Sequence, residues 1–126
     1  METLQVSRIA PGLAASLLQG LERLDPRGTT APEDLHHLTA SGQCFAAAAD
    51  TGQAVYVVKV SNGVAWVSAC KGAGPVKWRE VLLPIIEQQA SGCDAVAFQT
   101  ARRGLVKAAK RQGYEITGWI MKKKLP

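Results

Sequence analysis

Residues 54–70 constrain the fold more than any other part of the chain. Two runs rich in β-branched and aromatic residues, AVYVVKV over 54–60 and VAWVSAC over 64–70, flank Ser61-Asn62-Gly63. Such side chains fit a pleated, half-buried surface, and Asn-Gly accepts the positive φ that a tight hairpin turn demands. A lone hairpin is marginal in water, so further strands or covering helices must accompany it. The 126-residue chain is long enough to supply them as one domain, 1–126, since a chain of this size buries roughly two-thirds of its unfolded surface.

The rest of the chain predicts those partners. Leu4-Gln5-Val6-Ser7-Arg8-Ile9 alternates apolar with polar, the pattern of a short strand. Pro11 suits the first turn of a helix whose apolar face carries Leu13, Leu17, Leu18, Leu21 and Leu24, and Asp25-Pro26-Arg27-Gly28 ends it. A short helix starts at Pro32 with Thr30 as its cap, carries Leu35 and Leu38, and stops near Gly42. Cys44 to Ala49 is alanine-rich, which favours helix. The segment between Gly42 and the turn Asp50-Thr51-Gly52 is too short for an ordinary helix, so a strand is expected.

After a loop Lys71-Gly72-Ala73-Gly74-Pro75, a long helix carries Trp78, Val81, Leu82, Ile85, Ile86 and Gln89/Ala90 at three-four spacing, with a kink expected at Pro84 and an end at Ser91-Gly92. Asp94 to Thr100 reads as a short buried strand. Ala101 to Gln112 reads as a helix with Leu105, Val106, Ala108 and Ala109 inward and Arg102, Arg103, Lys107, Lys110 and Arg111 outward. Gly113 closes it, and Glu115 to Leu125 predicts a last strand with alternating Ile116, Gly118, Ile120 and Lys122. The fold class is mixed α/β, in the order β-α-α-β-β-β-α-β-α-β. The crossover through the long helix demands a parallel pair, and the tight turns elsewhere demand antiparallel ones.

Apolar residues at 47% and charged residues at 20% exclude a disordered chain. Apolar runs such as Phe45 to Ala49 are too short to span a bilayer, and residues 1–5 lack the features of a secretory signal. The three cysteines, Cys44, Cys70 and Cys93, show neither disulfide nor zinc spacing, which points to a reducing cytoplasm. The net charge of +5 is uneven: residues 1–50 carry −3 and residues 51–126 carry +8. A basic half implies an anionic partner, either nucleic acid or a phosphorylated small molecule.

The loop Lys71-Gly72-Ala73-Gly74 and the ending Lys110-Arg111-Gln112-Gly113-Tyr114…Met121-Lys122-Lys123-Lys124-Leu125, set in this order of elements, resemble the GNAT superfamily of N-acetyltransferases. Ala90-Ser91-Gly92-Cys93-Asp94 with Arg103-Gly104-Leu105 is also similar to small GNAT-like proteins of bacteriophages. The resemblance implies an acetyl-CoA-dependent N-acetyltransferase acting on an amine. The coenzyme would lie where the strands at 64–70 and 94–100 splay apart. The backbone of Val67 and Ala69 would pair with its pantetheine arm, and Cys70, Lys71, Gly72, Ala73, Gly74 and Val76 would line the route to its pyrophosphate. A helix N-terminus favours such an anion on physical grounds alone. Without the surrounding order, Gly72-Ala73-Gly74-Pro75 spells no more than a strand-to-helix turn.

Four departures accompany the resemblance. Ala69 stands where the family loop opens on Arg or Gln, and Pro75 removes an amide where donors are wanted. Ala109 stands where the family has a tyrosine acid, and Arg102 where it has an asparagine. No catalytic residue is therefore assigned. Candidate bases are Glu80, Glu87, Asp94, His36 and His37, each with a plain surface alternative. Cys70, ending a strand beside Lys71 and before a helix, is a nucleophile candidate whose alternative is a structural cysteine. Two other functions stay open: a non-enzymatic phage assembly or host-interaction module with a protein partner, and nucleic-acid binding through the basic C-terminal helix.

Overall fold

The computed structural model describes residues 4–19, 34–100, 102–119, 121 and 123–126. Asn62 and Gly63 take φ of 52° and 78°, the two successive positive values of a tight hairpin turn, between β3 (Gly52–Ser61) and β4 (Val64–Ala73). With β1 (Gln5–Arg8), β2 (Gln43–Ala49) and β5 (Ala95–Phe98) they form a five-stranded sheet in the order β1-β2-β3-β4-β5. The first three junctions are antiparallel and the β4–β5 junction is parallel, as the connections require.

Four described helices flank it: α1 (Pro11–Leu17), α2 (Asp34–Ser41), α3 (Trp78–Gln89) and α4 (Arg103–Arg111). The alanine-rich β2 is a strand despite its helical propensity. It lies between β1 and β3, and its Phe45 ring stacks on Tyr56 with centroids 5.3 Å apart. Pairing on both edges and burial outweigh intrinsic preference there.

Each face of the sheet has its own core. On one, Cys44, Val55, Val57 and Ala69 meet Ala14 and Leu18 at α1 and Leu35 of α2. On the other, Ala47, Ala54 and Tyr56 meet Trp78, Leu82 and Ile86 of α3. Thr39 is buried inside α2, and its hydroxyl donates to the Leu35 carbonyl at 2.8 Å.

The structure corrects three expectations. Leu13 is half exposed, because α1 approaches the sheet through Ala14, Ala15 and Leu18 instead. β4 does not stop at Cys70: it pairs with β3 as far as Ala73, so Lys71 and Gly72 belong to a strand and not a loop. Pro84 lies inside helix α3, as expected, and the helix ends at Gln89. No described residue after α4 belongs to a strand, so the last strand expected at 115–125 has no counterpart among the described residues. Thr30, Pro32, Leu21, Leu24 and the turn at 25–28 lie outside the described residues.

Candidate functional site

The sheet comes apart along β4. Its last pair with β5 is Val67–Phe98, whereas its pairing with β3 continues to Ala73. The change coincides with a bulge: Val58 faces Val67 and Val57 faces Ala69, so Ser68 has no opposite residue. A bulge bends the strand that carries it. Beyond Ser68 the β5-side edge of β4 is a row of backbone groups without a neighbouring strand among the described residues.

Residues beyond the bulge alternate between the two faces. Cys70 and Gly72 lie opposite Tyr56 and Ala54, on the α3 side. Ala69 lies in the core against α1 and α2. Lys71 lies opposite Val55 on that same side, and its ammonium donates to the Gln19 carbonyl at 2.6 Å, away from the start of α3. Val67 and Val76 pack on the α3-side core.

The two glycines have steric duties of their own. A Cβ on Gly72 would overlap the indole of Trp78, which closes the floor at that point. The Trp78 Nε1–H donates to the Ala73 carbonyl at 2.9 Å and so fastens the first residue of α3 to the end of β4. Gly74 has φ of 92°, and a Cβ there would overlap the Thr51 carbonyl in the β2–β3 turn. Lys77 begins α3 with no side-chain cap. The turn at 74–77 therefore delivers an uncapped helix N-terminus beside the open half of β4.

Cys70 is exposed, yet burial pushes its thiol up from 9.0 to about 11, with the Arg102 guanidinium pulling it partly back. Water reaches the side chain at the unpaired edge of β4, while the protein atoms around it still disfavour its charged form. The position was expected to favour a thiolate. Desolvation outweighs the cation, so the thiol is neutral at pH 7 and is not an activated nucleophile.

Arg102 lies at the start of α4, its charge acting on Cys70 and its amide donating to Thr100 Oγ1 at 3.0 Å. Arg79, which the sequence reading did not single out, reaches the same turn: its Nη1 lies 2.7 Å from where a Cβ on Gly104 would be. With Arg103 these form a cationic rim. The missed signal was positional, because an arginine in the first turn of a helix faces the dipole unfavourably unless something anionic comes near.

Two of the carboxylate candidates, Glu80 and Glu87, have other partners. Glu80 pairs with Arg111 at 3.8 Å, and Glu87 accepts the Tyr114 hydroxyl at 2.8 Å, joining α3 to α4 and the chain after it. The Asp94 amide donates to the Gly63 carbonyl at 2.7 Å, at the hairpin end away from the cleft. His36 and His37 are exposed on α2. Cys44 is buried in the core, its Sγ donating to the Thr39 carbonyl at 3.3 Å. Ala109 is buried on α4. No metal-binding group of His, Cys, Asp or Glu occurs among the described residues, and no described helix is long and apolar enough to cross a membrane. A separate hollow of about 180 Å³, lined by Phe45, Val58, Val60, Ala65, Ile86 and Cys93 among others, lies at the hairpin end of the same face.

Solved structures share this architecture. A Pyrococcus furiosus protein assigned as an acetyl transferase matches at a TM-score of 0.65 with 16% identity, over 98% of this chain and all 100% of its own. The fold is that of the GNAT acetyltransferases. The aminoglycoside N-acetyltransferase AAC(6')-Iy, in complex with CoA, matches at 0.58 with 16% identity, covering 99% of this chain and 96% of its own. A Trypanosoma brucei acetyltransferase matches at 0.53 with 15% identity, covering 98% and 100%. No family model matches the sequence, and neither does any curated protein. At 15% and 16% identity these likenesses are ones of fold.

Proposed function

We propose that this chain binds acyl-coenzyme A, in the first instance acetyl-CoA, between β4 and β5 and transfers the acyl group to an amine. The observation that carries the reading is the half-paired strand: β4 keeps β3 to Ala73 but loses β5 after Val67. An extended polar chain can use that edge as an added strand would. The backbone of Val67 and Ala69 offers the pairing positions. Residues 70–76 lead from them to the uncapped start of α3, where backbone amides and the helix dipole favour a pyrophosphate. Arg79, Arg102 and Arg103 supply the cations that Lys71, held to Gln19, does not.

When bound, the coenzyme supplies a thioester-activated acyl group. The chain contributes the unpaired edge of β4, which orients it. The neutral Cys70 thiol lies at that edge. Ala109 leaves the departing thiolate without the tyrosine that the family resemblance leads one to expect, so transfer here is expected to be slow. Ala109 also favours a second reading, in which the chain holds the coenzyme without turning it over.

Thermal unfolding with and without millimolar acetyl-CoA tests both. A ligand at a hundred times its Kd adds roughly 2.7 kcal/mol of stability, a clear rise in Tm. Arg102→Glu should reduce that rise without lowering the Tm of the free chain. No rise at millimolar coenzyme removes the proposal. A rise without thiol release in the presence of a panel of amines selects the second reading.

A further inference from the structure

We propose that the outward face of α4 is a docking surface for the phosphate backbone of a nucleic acid, gripped without regard to base sequence. Helix α4 holds Arg103, Lys107, Lys110 and Arg111 within its 9 residues and no acid at all. At 3.6 residues per turn, Arg103, Lys107 and Lys110 fall within about 60° of one another, on a stripe about 10 Å long. All three are exposed. The buried pair Ala108 and Ala109 is centred on the opposite side of the helix, so the stripe points straight out from the domain.

The helix is arranged against its own stability. Arg103 and Lys107, like Lys107 and Arg111, are four residues apart, and Lys107 and Lys110 are three apart, spacings at which like charges repel. Arg102 and Arg103 stand at the N-terminal end, where the dipole disfavours cations, and the first turn holds no acid. Among the described residues Arg103, Lys107 and Lys110 make no ion pair. Arg111 meets Glu80 at 3.8 Å, between two well exposed side chains, where such a pair is weak. Helix α3, packed alongside, carries both signs in Arg79, Glu80 and Glu87. A row of anions laid along the stripe would relieve the repulsion on α4.

The stripe is also held in place. Gln112 Nε2 donates to the Arg79 carbonyl at 3.1 Å and the Tyr114 hydroxyl donates to Glu87 at 2.8 Å, so the end of α4 is fastened to α3 at two points. A phosphate backbone is a regular row of anions and suits cations presented in a set array. No aromatic side chain lies on α4 to stack on a base, so the contact is with the backbone. An anionic membrane is the poorer occupant. A helix that lies on a membrane inserts apolar side chains beside its cations, and those of α4 face the domain, Ala108 and Ala109 buried and Leu105 and Val106 half-buried.

Anisotropy of a short labelled DNA duplex, titrated with the full chain at several salt concentrations, tests this. Three to four neutralised phosphates give a slope of about −3 in log K against log salt, at about −0.9 for each. Lys107→Glu should bring that slope nearer zero by about 1 and weaken binding about equally for duplexes of any sequence. Lys59→Glu, the same change of charge at an exposed position on β3, should leave the slope as it is. Lys107→Glu turns two repulsive pairs on α4 into attractive ones, so it should fold at least as well as the parent, which far-UV circular dichroism checks. Its rise in Tm with acetyl-CoA should equal the parent's, because Lys107 lies outside the coenzyme site proposed above, and the two proposals therefore fail separately. No anisotropy change at tens of micromolar chain in low salt overturns the docking surface, as does an equal loss in Lys107→Glu and Lys59→Glu. Affinity as high for a poly-glutamate peptide, or for vesicles of anionic lipid, overturns it too.

Discussion

The two halves of β4 lie next to each other in one strand and are built on opposite principles. Residues 64–67 have a strand on each side, and Ala65 there is fully buried. Residues 69–73 have β3 alone, and there Cys70 is exposed. The closed half is held by backbone ladders and side-chain burial together. The open half is held on one edge by β3 and beneath by Trp78, which bonds to Ala73 and fills the space under Gly72. A strand can therefore carry a site without a second neighbour, provided that a large side chain supports it from below. The switch between the two is one residue long, at Ser68.

Changing the support should break this difference most sharply. In Gly72→Val the new side chain must displace the Trp78 indole, which is itself buried and fastens α3. Overpacking of this kind costs 1–3 kcal/mol and sometimes more, and about 3 kcal/mol is expected here. Gly92→Ala is the control, because a Cβ there has nothing within 4 Å, and it should change stability by less than about 0.5 kcal/mol. Urea unfolding measures both. Equal stability of the two variants would mean that the open half is loose.

Tyr56→Phe sharpens the comparison by a smaller step. Tyr56 faces Cys70 across the ladder, is fully buried, and donates to Gln89 Oε1 at 2.7 Å. Losing that bond should cost about 1 kcal/mol. Burial pushes its hydroxyl up from 10.0 to about 12, the Gln89 bond opposing the shift and the Cys70 thiol adding to it. A raised folded value means that the stabilisation is whole below pH 10 and is lost as the pH climbs toward 12. The parent should therefore lose stability across that window, and Tyr56→Phe should lose less. Identical pH curves would show that the hydroxyl is not buried as described.

The closed half was legible because side chains specify it. The β-branched runs, Asn62-Gly63 and the crossover length determine strand order and direction between them. The open half was misplaced because Gly72 reads as a loop residue. Its real reason, room for Trp78, is a contact between positions six apart that no periodicity reveals. The cationic rim was half legible. Arg102 and Arg103 lie on a visibly basic helix, whereas Arg79 joins them only when α3 and α4 pack. The final strand expected at 115–125 rested on alternation alone, and no described residue there is in a strand, because alternation says nothing about whether a partner edge is within reach. Leu13 was misread because α1 uses its alanines for close approach.

The last and smallest effect is chemical and touches no stability. A thiol at about 11 holds roughly a hundredfold less thiolate at pH 8 than one at 9.0. Iodoacetamide should therefore modify Cys70 far more slowly than its exposure suggests, with the rate rising about tenfold per pH unit until pH 11. Peptide mass spectrometry separates it from buried Cys44 and from Cys93. Alkylation at pH 8 as fast as for a free thiol would mean that Cys70 stands on open surface, and the cleft between the split strands would lose its wall. If the slow rate is found, acetyl-CoA should slow it further, because the pantetheine arm and the alkylating agent would compete for one passage.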